Sequence, residues 1–300
     1  MTPDPHIDAL MLLLDDPDPV VKESVRRRLL QIGPAVAARL RGVIADPPDE
    51  VSRQEAVGAL NALGVERFRA AFTDILLDAE GRNDIDLEQG ALAVAFLGWP
   101  DLDPEVTTQQ FDTMASMIED RLTRCDNGYM VAREMNRYLI DQLGFRGCRQ
   151  EQGEYYDPDN SYVNRILERR LANPVGLSII YLLIARRLGI PLFGVGFPSH
   201  FLLKYRSLGE EFFIDPFNGG QILSAVDCRR FLQDLDIEYR PSYLESVNSR
   251  RIVARIMRNL AEIRRAEQPP VADELEAAID RLLDEEAWGG RATEQPRPSL

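Results

Sequence analysis

The sequence predicts an α+β fold in which one buried helix packs on an antiparallel sheet, with an all-helical module before that core and a helix pair after it. Three observations predict it. The stretch 174–187 reads as a helix that is apolar almost all the way round from Leu177 to Ala185, the pattern of a helix inside a core. Strand-like runs bounded by turn residues follow at 192–196, 201–205 and 211–214. Residues 1–100, by contrast, carry only helical periodicity.

Taken in order, the helix over 20–32 places Val21, Val25, Leu29 and Ile32 on one face, and the next places Val36, Leu40, Val43 and Ile44 on another. Leu29–Gly33 recurs as Leu60–Gly64 after 31 positions, and AFLG ending at Gly98 repeats it after 34. Each segment ends in Gly, which suits a helix C-cap, while Asp16-Pro17 and Asp46-Pro47 would open the helix pairs. The pattern resembles HEAT-like repeats, with a plain helical bundle as the alternative. Either way the module's natural use is docking against another protein.

Trp99-Pro100-Asp101 and Asp103-Pro104 interrupt the pattern, so the first domain is expected to span 1–100 and the second 101–240. A helix with Phe111, Met114, Ile118 and Leu122 on one stripe should end near Cys125. Asp126-Asn127-Gly128 is a turn, and a helix over 129–143 should stop at Gly144. Asp157-Pro158-Asp159-Asn160 has strong turn chemistry, and Asn160 or Ser161 can cap the short helix that follows. Tyr155, Tyr156, Asn160 and Asn164 either line a cleft or cap the helix and seal the edge of the core.

Asn173 can cap the buried helix, and Pro174 suits its first position because proline lacks the donor that would go unused there. Arg186, Arg187 and Gly189 mark its end. In the hairpin that follows, a two-residue loop pairs 207 with 210 and sets Asp215 opposite Leu202, on the face that carries His200. A three-residue loop would separate the two side chains. A His beside an Asp is either structural or catalytic: the carboxylate fixes one ring nitrogen and leaves the other to act as a base. A helix over 225–235 should turn Phe231 and Leu232 inward. The chain should be helical again over 243–266 and 271–288, a pair that is at most tetratricopeptide-like. It occupies an expected region of 241–288 before a disordered tail at 289–300.

Composition bounds the function. A length of 300 residues suits about two domains, and a net charge of −14 argues against a nucleic-acid surface, though not against a locally basic groove. Cys125, Cys148 and Cys228 form neither a disulfide framework nor a metal-ligand pattern, so no metal or cofactor is expected and a reducing cytoplasm fits. No apolar run approaches the roughly 20 residues that cross a bilayer, so no membrane partner is expected.

The order apolar helix, LGIP, strand, PSHFLL and IDPFNGG resembles the transglutaminase-like superfamily, whose papain-like core has its nucleophilic Cys at a helix N-terminus and His and Asp on adjacent strands. The run YYDPDNSYVNRILERR, NPVGLS, ARRLGIPLFGV, PSHF and DPFNGG looks like its bacterial SirB branch, also represented by a domain of a eukaryotic F-box protein. The resemblance implies that His200 and Asp215 match the family His and Asp. It puts the Cys at or near Pro174, which has no thiol. The sequence also has Ala172-Asn173-Pro174 where that branch has Gly-Ile-Pro, and Pro198-Ser199-His200 where it has Pro-Gly-His. Ser178, one turn below Pro174, and Cys148 are the substitutes to weigh, against a small core residue and a distant thiol respectively. The expectation is a binding or regulatory protein without the nucleophile, using a residual cleft of His200, Asp215, Tyr155, Tyr156, Asn160, Asn164, Pro174 and Ser178. The alternative is a hydrolase or transferase of altered chemistry, with His200 as general base oriented by Asp215.

Overall fold

Two of the first four helices start where an Asp side chain accepts from their free backbone donors. The computed structural model describes residues 5–79, 82–149, 153–207 and 209–284. Helices α1 (Pro5–Leu12), α2 (Pro19–Ile32), α3 (Ala37–Ala45) and α4 (Glu50–Asp78) come first. Asp18 accepts from Val20 N at 2.8 Å, and Asp49 from Ser52 N at 2.7 Å. The caps therefore fall on the aspartates that follow Asp16-Pro17 and Asp46-Pro47, because only there does a side chain precede a helical turn. Gly33 ends α2 with φ +77°, as a cap does. Gly64 ends nothing: α4 runs on through it for 29 residues in all. A Cβ on Gly64 would stand 2.4 Å from the carbonyl oxygen of Leu97, so the glycine serves a close helix crossing. The expected series of Gly-ended repeat units is thus broken at its second member.

The chain continues through α5 (Leu87–Phe96), α6 (Pro104–Leu122) and α7 (Gly128–Asn136), the last wound on as a π turn over Arg137–Gln142. Strand β1 (Arg146–Gly147), α8 (Val163–Arg169) and β2 (Leu171–Ala172) lead into α9 (Pro174–Arg187). After it come β3 (Leu192–Val195), β4 (Leu202–Ser207), β5 (Glu210–Asp215), β6 (Gln221–Leu223), α10 (Ala225–Asp234), β7 (Ser246–Val247), α11 (Ser249–Arg264) and α12 (Pro269–Leu283). The five-stranded sheet has the order β6-β5-β4-β3-β7, every neighbour antiparallel, and β1 and β2 form a separate parallel pair.

Alternation along the strands divides the interior. Leu203 and Ile214 face α9, whose residues from Val175 to Ala185 are all buried, in the main core with α5, α11 and α12. Leu202, Phe213 and Val195 face the other way, against Cys228 and Leu232 of α10. A third cluster lies among α1–α4 and includes Leu29, Leu40 and Leu63. The boundary between that cluster and the main core lies inside α4, between Leu63 and Phe68. Trp99 ties the elements on either side of it together. Arg41 of α3 and Arg165 of α8 stack over its ring at 4.5 and 4.6 Å, and its indole N–H donates to Asp159 at 3.4 Å.

Two expectations at the C-terminal end need correction. The stretch 243–266 is not helical throughout: the short β7 pairs with β3 before α11 begins, and two residues are too few to leave a periodicity. Pro269 and Pro270 do not precede the last helix but begin it, since its first turn needs no N–H donors. The expected helix end over 285–288 and the tail 289–300 lie outside the described residues. Among the described residues no helix is long and apolar enough to cross a membrane.

Candidate functional site

The hairpin register decides whether His200 meets Asp215. Ser207 pairs with Glu210 and Leu203 with Ile214, the arrangement of a two-residue loop, and Asp215 closes β5. The chain reaches His200 through a tight turn in which Phe197 N donates to Val195 O at 2.9 Å and His200 N donates to Phe197 O at 3.1 Å, with Ser199 at φ +56°. Nε2 of His200 then lies 2.8 Å from Oδ1 of Asp215. That is a hydrogen-bond distance, but the oxygen lies off the N–H direction, so Nε2 has no well-aligned partner among the described residues. The contact is best read as a close electrostatic one that fixes the ring and leaves Nδ1 as the other nitrogen.

The turn after β5 holds the carboxylate. Asn218 donates to it twice, from its backbone N to Oδ1 at 3.1 Å and from Nδ2 to Oδ2 at 2.7 Å. Aromatic rings close over the pair. Phe217 meets the imidazole edge-on at 5.7 Å and Phe231 of α10 stacks on it at 5.8 Å. The side chains of His200 and Asp215 are left 7% and 4% exposed.

Pro174 opens α9 as expected, with Asn173 accepting from Gly176 N at 2.9 Å. Ser178 is fully buried, and its hydroxyl donates to the carbonyl of Pro174 at 2.9 Å. No hydrogen bond or ion pair among the described residues joins Pro174 or Ser178 to the His–Asp pair. Phe217, which meets the His200 ring, also packs against β1. A Cβ on Gly147 would lie 2.6 Å from its ring and 2.8 Å from its carbonyl oxygen, and Gly147 pairs with Ala172, two residues before Pro174. Cys148 follows directly after β1 and donates its N–H to Ala172 O at 3.0 Å. A cysteine therefore does lie beside the first turn of α9. Its thiol is buried, and burial above all pushes its pKa up to about 11.

The polar turn before α8 is divided in use. Asn160 is fully buried, donates to Glu154 O at 2.6 Å and receives Asn173 N on its own carbonyl at 3.3 Å. Contrary to the sequence expectation, neither it nor Ser161 caps α8: Ser161 Oγ instead accepts from Asn173 Nδ2 at 3.0 Å, and the N-cap position falls to Tyr162 without a side-chain bond. Both are spent on bracing the start of α9. Glu154 grips Arg146 at 2.8 and 3.0 Å, and this pairing with Arg149 N holds its carboxyl down to about 2. Tyr155 and Tyr156 stack edge-on at 5.4 Å on the surface, and Tyr156 is 61% exposed. Asn164 is half-buried, its Oδ1 without a hydrogen bond among the described residues. Asn160 thus joins the α9 terminus, while the two tyrosines stay outside it.

Sequence reasoning missed a polar chain behind the site. The hydroxyl of Tyr181, at the centre of α9, donates to Asn136 Oδ1 at 2.9 Å. Asn136 Nδ2 donates to Gly220 O at 2.6 Å, and Gly220 N donates to Asp215 O at 2.9 Å. One signal was available: a tyrosine inside an all-apolar helix needs a partner for its hydroxyl. Gly220 is required there, with φ +70° and a would-be Cβ 2.5 Å from the Asn136 amide carbon.

Comparison with known proteins gives the family. The sequence model described as the transglutaminase-like superfamily matches residues 105–258. A protein named "UPF0162 protein" from Xylella fastidiosa (strain 9a5c) is 35% identical over 185 residues, 60% of this chain and 65% of that protein. A UPF0162 protein of Pseudomonas aeruginosa is 27% identical over 203 residues, 65% of this chain and 71% of that one. Human "F-box only protein 21" is 33% identical over 141 residues, 44% of this chain but 22% of its own length. The chain therefore spans 65% of the length of its Xylella relative. No solved structure matches the chain.

Proposed function

The chain belongs to the transglutaminase-like superfamily, and from that premise we propose that it is a member without a nucleophile, which binds rather than cleaves. One observation carries the reading: Pro174 occupies the first turn of α9, where the resemblance puts the catalytic Cys. A helix N-terminus activates a thiol and offers donors to an oxyanion. Proline supplies neither a thiol nor an N–H. Cys148 does not replace the missing group, because a thiol raised to about 11 is almost wholly protonated at neutral pH. The altered-chemistry reading, with His200 as a base, calls for a ring open to substrate, and a side chain 7% exposed beneath two phenylalanines opposes it. On this reading His200 and Asp215 brace the DPFNGG turn against the hairpin. The motifs from Tyr155 to Gly220 support placement in the SirB branch, the helices α1–α4 are the docking surface for another protein, and the protein works in the cytoplasm.

The test is direct. Purified full-length protein, assayed with glutamine-containing peptides and an amine donor, is expected to give no acyl transfer, deamidation or amide hydrolysis above the His200→Ala variant. Turnover that disappears in His200→Ala would overturn the reading.

A further inference from the structure

The sequence of α11 carries Arg251, Arg255 and Arg258, a 4-then-3 spacing that puts three guanidinium groups on one helix face. With Gly196, Phe201 and Val247 they line a cleft of about 240 Å³. Such a concentration of cations stands out in a chain whose net charge is −14. Arg251 has partners of its own, so the argument rests on the other two. Among the described residues neither Arg255 nor Arg258 has a carboxylate within 4.0 Å. Burial first, and then the neighbouring Arg258, lowers the pKa of the Arg255 guanidinium, against a weaker pull from Tyr155 and Glu262. Two cations one turn apart repel each other, and a partly buried cation with no carboxylate in contact is destabilising.

A bound anion would remove both penalties. We propose that this cleft is an oxyanion site that seats the phosphate end of a small-molecule ligand. Two guanidinium groups without an ion-pair partner among the described residues match a phosphate monoester, which carries about −1.5 to −2 at neutral pH, better than a single carboxylate. The volume is below the roughly 300–1,000 Å³ of pockets that engulf a whole ligand, so the cleft holds the charged end and the remainder lies outside it. Gly196 and Phe201 bracket the turn that delivers His200, so the seated anion borders the loop of the candidate site. The inference goes beyond the binding role proposed above, because an anion can be held there whether or not His200 does chemistry.

The experiment uses the full chain, with inorganic phosphate and pyrophosphate as probes, by calorimetry and thermal shift at about 50 and about 200 mM salt. Pyrophosphate is expected to raise the melting temperature and to bind more weakly at the higher salt. Arg255→Ala and Arg258→Ala should each weaken it by about tenfold, the loss of a charge-assisted contact, and Arg255→Lys should retain more than Arg255→Ala. Arg27→Ala, on the exposed face of α2, should leave binding unchanged. Should Arg255→Ala fail to fold, the exposed Arg258 carries the test alone. Failure of both phosphates to bind, undiminished binding by the arginine variants, or equal binding of citrate overturns the proposal.

Discussion

Asn136→Ala separates the polar chain behind the candidate site from the packing around it. Asn136 accepts from Tyr181 at 2.9 Å and donates to Gly220 at 2.6 Å, so the substitution breaks both bonds. The two losses are unequal. Tyr181 is 1% exposed, and its hydroxyl would be stranded in the interior, which costs about 1–3 kcal/mol. Asn136 itself lines an open cleft beside Gly219, so water can replace its bond to the Gly220 carbonyl for a few tenths of a kcal/mol. The sum is about 2 kcal/mol. Tyr181→Phe removes the hydroxyl together with its need for a partner, and should cost about 1 kcal/mol alone. The double variant Asn136→Ala/Tyr181→Phe should therefore be more stable than Asn136→Ala by about 1 kcal/mol, a rescue by a second deletion. Urea unfolding followed by near-UV circular dichroism, on all four proteins, measures the cycle. Additivity within about 0.3 kcal/mol would refute the reasoning, because it would mean that the hydroxyl is satisfied elsewhere.

Two further outcomes follow from features of the same core. Burial raises the Cys148 pKa from 9.0 to about 11, so its contribution to stability is full below pH 9 and is lost as the pH rises through about 11. At pH 8 its alkylation by iodoacetamide, followed by peptide mass spectrometry, should be roughly a hundredfold slower than that of an unperturbed thiol, and should rise about tenfold per pH unit until it levels off above about pH 11. Fast labelling of the folded protein at pH 8 would contradict the buried thiol. The two glycines of α4 should respond in opposite directions to alanine. Gly58→Ala, with its nearest neighbour an Arg26 side-chain nitrogen at 3.8 Å, should gain about 0.5–1 kcal/mol of helix propensity. Gly64→Ala must push back the Leu97 carbonyl and should lose about 1–3 kcal/mol. Equal effects in thermal melts would mean that α4 and α5 do not cross there.

What could be read in advance was local or periodic. The start of α9 was legible because Asn173 and Pro174 are a cap and a first-turn residue, and its depth because no side of it is polar. The meeting of His200 with Asp215 was legible because strand parity turns a loop length into a choice of face. The continuity of α4 was not, since a glycine that permits a close crossing looks in one dimension like a glycine that ends a helix. Nor was the nearness of Cys148 to α9, because the β1–β2 pairing joins residues 25 positions apart, as in Arg146↔Leu171, and leaves no periodic trace. The lids over His200 come from two different segments, Phe217 from the turn after β5 and Phe231 from α10, so only the assembled fold brings them together.

The main core draws on Phe68, Phe72 and Val94 before the family-matched region and on Leu275, Ile279 and Leu282 after it. Residues 105–258 expressed alone would leave bare the surfaces of α9 and α11 that α5 covers. Any protein that has inherited only that region has to wrap it with other chain. The portion that sequence comparison recognises is therefore smaller than the portion that can be moved between proteins and still fold.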